Sequence, residues 1–295
     1  MMDKFWESLS GDLAEEWLKR AFSPPFLFLL LGLLLYVSRY GWQDLWQRLA
    51  NLTLVEQIAL LGLALLGLIL SSLLTSRWRF TLLRWLEGYW PWPLHYLEGV
   101  STAWQAGRLA HNERKLNALL SKRKPLSALQ TRQRADLEIF THYFPAESSA
   151  ILSTRLGNIL RAGETAPAQK YGLDAFVCWP RLWPLLPENL RRDLTAIREN
   201  LLVMAEVWGL GMLSVIWVIW SWWALPVALV WMLGAYRLTL SIAMAYADMI
   251  ESAFDLYRRD LYTAVDWPFP EEKGDAEIAA GKQLTEFLWR GILPD

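Results

Sequence analysis

Residues 187–223, PENLRRDLTAIRENLLVMAEVWGLGMLSVIWVIWSWW, and residues 226–265, PVALVWMLGAYRLTLSIAMAYADMIESAFDLYRRDLYTAV, are joined through Ala224-Leu225. Each limb carries an apolar block approaching the ~20 residues a helix needs to cross a bilayer. Each continues on one side as a charged helix. The pattern predicts a long antiparallel helical hairpin over 187–264, its tip in a membrane and its base in the cytoplasm. Folding about Ala224-Leu225 sets Arg198 opposite Glu251 and Asp193 near Arg258. Exposed pairs of this kind contribute only about 0–1 kcal/mol each, so they would fix register more than stability.

Two charges mark the apolar part of this hairpin. Arg237 lies 11 residues after Pro226, roughly 16 Å along a helix and so near mid-bilayer. An unpaired charge at that depth is costly. Glu206, near the inner end of the third span, is the nearest acid and the expected partner. Snorkelling toward the headgroups, bonding to backbone carbonyls or lining a pore are the alternatives.

A second hairpin is expected over 24–75. Pro24-Pro25 after Ser23 starts a helix, with Ser as cap and Pro where no N–H is needed. The apolar run FLFLLLGLLLYV at 26–37 reads as a short first span, and 38–52, with Trp42 and Trp46, as an outer connection. Thr53 and Glu56 fit a capping box opening the second span, 58–74. Gly62, Ala64 and Gly67 offer small surfaces for close helix approach. Before this hairpin, Trp6, Leu9, Leu13 and Trp17 recur at helical spacing, so 1–23 reads as an amphipathic helix along the membrane surface or on the soluble part.

Composition agrees with a chain partly in lipid and partly in water. It has 295 residues, is 54% hydrophobic and has a mean hydropathy of +0.17. Its 19 Trp outnumber its 11 Phe, and Trp favours the headgroup layer. A net charge of −1 gives no basis for a nucleic-acid partner. The distribution says more. Residues 76–200 carry 18 Lys/Arg against 11 Asp/Glu, and 248–295 carry 5 against 11. The acidic tail is placed to dock on the basic middle, or the basic middle to face anionic lipid. Basic residues stay inside, which puts both termini and 76–186 in the cytoplasm. Arg39 and Arg48 run against that rule. The one cysteine, Cys178, excludes an internal disulfide and a cysteine-cluster metal site.

The cytoplasmic part, 76–186, opens with RWRFTLLRWLEGYWPWP at 77–93, whose Trp and Arg suit an in-plane helix at the inner headgroups. A polar helix over 96–123, a break at Lys124-Pro125 and a Ser127-capped helix to about Tyr143 predict a helical hairpin. In 154–187 the glycines at 157, 163 and 172 and four prolines predict short helices and turns. The tail, 265–295, reads as an extended Trp267-Pro-Phe-Pro linker and an amphipathic helix over 275–290 ended by Gly291.

The chain lacks HExxH, GxSxG and GxxxxGK[ST] motifs, and His95, His111 and His142 fall on different predicted elements. No catalytic, metal or cofactor residue is nominated. The best ligand or partner site is the 154–187 segment, with Arg155, Arg161, Glu164, Lys170, Tyr171, Asp174 and Arg181. Charged and aromatic side chains in a compact segment can bind an anionic headgroup, a nucleotide or a partner's tail. Alternatively these charges pair internally and hold the segment together.

RLGNILR at 155–161, YGLDA at 171–175 and WPRL at 179–182, ahead of a two-span hairpin, resemble a group of uncharacterised bacterial multi-pass membrane proteins over residues 144–265. The resemblance implies a bacterial inner-membrane setting and no activity. The layout of two spans, an insert and two spans is also that of flagellar-type stator subunits, without a shared motif. The expected fold is all-α, with four transmembrane helices and a cytoplasmic helical domain. The expected function is a non-enzymatic membrane scaffold or adaptor, as a homo-oligomer or with an unidentified protein partner. A channel or transport subunit, suggested by Arg237, and a lipid-acting enzyme at the inner surface are the rivals.

Overall fold

A computed structural model covers residues 24–122 and 126–291, without the side chains of 24, 65 and 68–76. The amphipathic helix expected over 3–22, the Ser23 cap and the Lys124-Pro125 break lie outside the described residues. The chain is all-helical, and no strand occurs among the described residues. In order, the helices are α1 (Pro24–Ala50), α2 (Leu54–Glu87), α3 (Glu98–Leu120), α4 (Ala128–His142), α5 (Arg155–Tyr171), α6 (Ala175–Leu182), α7 (Glu188–Leu213), α8 (Ala224–Ala264) and α9 (Asp275–Arg290). Three stretches are long and apolar enough to cross a membrane: Pro25–Ala50, Glu188–Ile219 and Ala224–Ala264. A shorter apolar stretch, Leu54–Ala64, begins α2.

The chain divides into two compact units, Met1–Leu82 with Leu202–Leu238 and Leu83–Leu201 with Thr239–Asp295. The divisions therefore fall inside α2, α7 and α8. Each of these helices carries a charge beside its division: Arg79, Glu206 and Arg237.

In the first unit, α1 continues through most of the expected connection at 38–52, as far as Ala50, with a kink at Gly41, at φ 84 and ψ 159. Local bonds carry the helix onward. Asp44 accepts from Tyr36 Oη at 2.7 Å and from Arg48 Nε at 2.8 Å, so Arg48 is matched by an acid one turn away. Thr53 and Glu56 form the expected capping box, each backbone N–H donating to the other's side chain. Gly62 and Gly67 have no atom of the described residues within 4 Å of where a Cβ would stand, so no described helix makes the expected close approach there. It is made at Gly32, where a Cβ would come within 2.7 Å of the Trp217 ring. Trp217 stacks on Trp220 and meets Phe28, while Trp220 meets Tyr36 edge-on. This aromatic cluster packs α1 on the tight helical turn Ser214–Ile219.

That turn changes the hairpin. α7 tightens over Ser214–Ile219, and α8 has already begun at Ala224, with Pro226 in its first turn, where a missing N–H costs nothing. The reversal lies at 220–223, ahead of the expected Ala224-Leu225, and every facing pair shifts. Trp231 Nε1 donates to Val207 O at 2.9 Å, and Gly211 receives the Trp231 and Met232 side chains. In the second unit Arg198 lies beside Tyr246, on the wall of one hollow. Glu251 instead binds Lys170 and His142, and Arg258 binds Glu277 at 2.8 Å.

Glu206 is 2% exposed, and its partner is Arg79, Nε to Oε2 at 2.6 Å. Arg237, the expected partner, lies exposed on α8. Helix packing explains the change: Arg237 stands on the exposed side of α8, whereas Arg79 reaches Glu206 from α2, with Leu82, one turn further along α2, packed on Gly209 of α7.

Residues 77–87, which run across the division at Leu82, continue α2 rather than forming a separate in-plane helix. Ser127 caps α4 as expected, with Gln130 completing a reciprocal capping box that the sequence reading did not name, and α4 packs on α3. Of the three glycines in 154–187, Gly172 ends a helix as expected, in the left-handed conformation, but the other two do not break the chain. Gly157 and Gly163 sit within the regular, 17-residue α5. A Cβ on Gly157 would strike the Glu87 carbonyl, and one on Gly163 would stand 2.7 Å from Ala247 Cα. Helix α9 docks on the far end of α5: Gly281 lies against the Tyr171 carbonyl and Gly172, at φ +70, against that of Ile278. Below these contacts lies a core of Leu173, Cys178, Leu182, Phe254, Leu261 and Leu284.

Two outcomes follow from these contacts. Arg79→Ala leaves a carboxylate buried without its cation and destabilises the protein by about 3–5 kcal/mol in detergent denaturation, whereas Leu at both 79 and 206 recovers most of the loss. Gly281→Val overpacks the α5–α9 contact, costs about 1–3 kcal/mol and frees α9 first, read as early proteolysis after residue 265.

Candidate functional site

The seven residues nominated from 154–187 do not converge on one point. Thr154 caps α5 by accepting from Gly157 N at 3.0 Å. Arg155, in the first turn, donates to the Tyr143 and Phe140 carbonyls at 3.2 and 3.1 Å and lies over the Phe140 and Phe144 rings. Its guanidinium fastens the end of α4. Lys170 binds Glu251 and Asp255 of α8. Burial works against the Lys170 charge, but the bond to Glu251 and the two carboxylates outweigh it and raise its pKa. Tyr171 Oη donates to Asp255 at 2.7 Å, and Arg258 covers its ring.

Asp174 accepts from Phe176 N and Val177 N and so caps α6. Arg181 ends the same helix, donating to Val177 O at 2.7 Å and to Leu288 O of α9 at 3.2 Å. These groups hold α4, α6, α8 and α9 around α5. Arg161 and Glu164 meet at a loose 3.4 Å on the wall of an open hollow that Asp174 also lines.

That hollow has a volume of about 530 Å³ and lies among α5, α6 and α8, lined by Arg161, Glu164, Asp174, Phe176, Trp179 and Tyr246. A second, of about 330 Å³, shares Trp179, Pro180 and Tyr246 with it and adds Trp183, Thr195 and Arg198. These two neighbouring hollows, the candidate groove, have Trp179, Pro180 and Tyr246 in common; Arg161, Glu164 and Asp174 line the first and Arg198 the second. Sequence reasoning nominated Arg161, Glu164 and Asp174 but missed Tyr246 and Arg198. Both sit on the hairpin limbs, and the misplaced turn assigned Arg198 to Glu251. Among the described residues no three His, Cys, Asp or Glu side chains stand close enough to hold a metal ion. Cys178 is fully buried, and burial pushes its thiol up to about 11, so it is held as thiol rather than nucleophilic thiolate.

Glu87, at the C-terminal end of α2, was not singled out by its sequence context. Burial, offset in part by Arg84 and reinforced by Glu164, pushes its carboxyl up to about 7. The C-terminal end of a helix also disfavours a negative charge. An acid held above its unfolded value binds its proton more tightly when folded. Stability is therefore greatest below about 4.5 and falls as pH rises to about 7. At about 1.4 kcal/mol per pH unit the loss is at most on the order of 3 kcal/mol. Melting of the purified protein between pH 5 and 8 shows that decline, and Glu87→Gln flattens it and is the more stable form at pH 8. Comparison of the chain with family models, with curated proteins and with solved structures returns no match.

Proposed function

We propose that this chain is an integral scaffold or adaptor of the bacterial inner membrane, without catalytic activity, that presents its second unit on the cytoplasmic side. The observation that carries the reading is how the charges of 154–187 are used: Arg155, Lys170, Asp174 and Arg181 are bound to neighbouring helices or caps. An enzyme site needs such groups aimed at a shared point; here they rigidify a helical platform. The thiol chemistry that Cys178 would offer is suppressed by its burial.

The membrane part of the proposal has four spans: α1, the 58–74 run of α2, the end of α7 and the start of α8. Its support is the position of Arg79, Glu206 and Arg237 beside the divisions of three helices. The observed register brings Arg237 level with 201–207 of α7, at the foot of the apolar blocks. On this reading the three charges mark the inner edge of the bilayer, and Arg237 needs no deep partner because its side chain reaches headgroups. Both termini are then cytoplasmic, in keeping with the 18 Lys/Arg of residues 76–200.

A channel is the second reading, favoured by the exposure of Arg237 on an apolar helix. The two are separated by purifying the full chain in mild detergent, measuring its mass and then measuring ion flux in liposomes. The adaptor predicts a defined complex with a second protein and no flux. A homo-oligomer whose flux is lost in Arg237→Ala overturns it. For topology, cysteines placed at Asn51 and Asp275 label unequally with an impermeant reagent in intact cells, Asn51 reacting and Asp275 protected. Equal labelling contradicts four spans with both ends inside.

A further inference from the structure

Between the end of α2 and the middle of α3 the second unit carries an exposed apolar surface that the scaffold reading does not use. Trp92, Leu94, Tyr96, Leu97, Val100 and Trp104 all stand exposed, from 51% at Leu94 to 76% at Trp92. Large apolar side chains gathered this closely are unlike the scattered exposures of an ordinary protein surface, and such a patch marks a contact. The stretch is held in place from behind. Trp90 N donates to Glu98 Oε1 at 2.7 Å, Trp90 Nε1 to Trp85 O at 3.0 Å and Ser101 Oγ to Ser153 O at 2.6 Å. Ser101 and the buried Gln105 turn one side of α3 inward, and the other side is left bare.

Helical spacing puts Leu97, Val100 and Trp104 on one face of α3, and the same line runs on through Arg108 and Lys115 to Lys122, just past the helix end. Arg108 lies over the Trp104 ring at 4.7 Å. The two acids of α3 are off this line: Glu98 is bound to Trp90 N, and Glu113 falls on the opposite side by the same spacing. The face is therefore aromatic and apolar at one end and basic at the other, with no acid along it. A second copy would bring the same cations and nothing to neutralise them. An anionic bilayer surface meets both ends in one plane, since Trp and Tyr rings sit at headgroup level and Lys and Arg find lipid phosphates. Trp92 also lies 13 residues after Arg79, which the proposed topology puts at the inner edge of the bilayer. So short a tether keeps that surface at high effective concentration.

We propose that this face, from Trp92 to Lys122, lies along the anionic inner surface of the membrane, its rings between headgroups and acyl chains and its cations on lipid phosphates. The inference rests on the reading of the chain as an integral membrane protein and adds to it a lipid contact made outside the spans. It stands whether the chain is a scaffold or a channel. Loss of anionic lipid then releases the face without unfolding α3, whose inward side is tied to 151–154.

The test uses the full chain in lipid nanodiscs of phosphatidylglycerol bearing a nitroxide on the acyl chain. A fluorophore is attached in turn to Val100→Cys, to Leu63→Cys in the 58–74 run and to Asp275→Cys; Cys178 is buried and escapes a brief labelling reaction. The nitroxide quenches the labels at 100 and 63 and leaves the one at 275 bright. Exchanging phosphatidylglycerol for phosphatidylcholine cuts the quenching at 100 by half or more and leaves that at 63 unchanged. Lys115→Glu with Lys122→Glu, both exposed, does the same in phosphatidylglycerol, with circular dichroism and melting unaltered. Quenching at 63 but not at 100 overturns the surface contact and spares the membrane reading. No quenching at either position overturns the membrane reading and this inference with it. Quenching at 100 that ignores both lipid charge and the two glutamates overturns recognition of an anionic surface. So does a label at 100 that is shielded from aqueous iodide in detergent while the protein has the mass of a dimer, since that assigns the face to a second copy.

Discussion

Helix α5 can bring its backbone against its neighbours only where a side chain is missing, and the second unit depends on that constraint. Gly157 lets it meet the end of α2 backbone to backbone, and Gly163 lets it lie on Ala247 of α8. At its far end Gly172 and Gly281 bring α5 and α9 into the same kind of contact. Close approach of this sort gains dispersion contacts that a bulkier interface loses. It also leaves no room for long side chains in the seams, so the charged residues of α5 are pushed to the rims. There they meet partners on α4 and α8, and there Arg161 is left facing open space.

This geometry explains how much of the molecule was readable from the chain. Features decided by neighbours within four residues were legible: the Thr53–Glu56 capping box, the Ser127 cap and the helix-ending glycine at 291. The apolar runs were legible because burial in lipid or protein selects the same residue types. What was not legible depended on non-local packing. Gly157, Gly163 and Pro167 were read as breaks, but they occupy a continuous helix, because the glycines serve contacts made by distant residues. A proline in the last turns removes only one backbone donor.

The hairpin shows how a small local error spreads. A few residues of tighter winding at Ser214–Ile219 move the reversal forward, and in an antiparallel pair any displacement of the turn changes every partner. Arg198 then leaves Glu251 for Tyr246, and Arg237 comes level with Glu206 but lies exposed on α8, so that Arg79 of α2 takes the acid. Nothing in the run SVIWVIW distinguishes tight from ordinary winding; the cause is Trp217 packing into the gap beside Gly32 of α1. The candidate groove was half visible for the same reason. Its α5 and α6 residues were nominated from composition, and its α7 and α8 residues were hidden by register.

The buried Cys178 gives the protein an internal clock. Its sulfur lies 3.9 Å from Thr285 Oγ1, sealed under α9. A reagent reaches it only when α9 lifts, and only the small fraction of thiolate reacts once it does. With no second thiol to compete, the rate at which the native chain is alkylated reports how often that helix opens. The resting dynamics of the C-terminal helix are thus written into the chemistry of a single side chain.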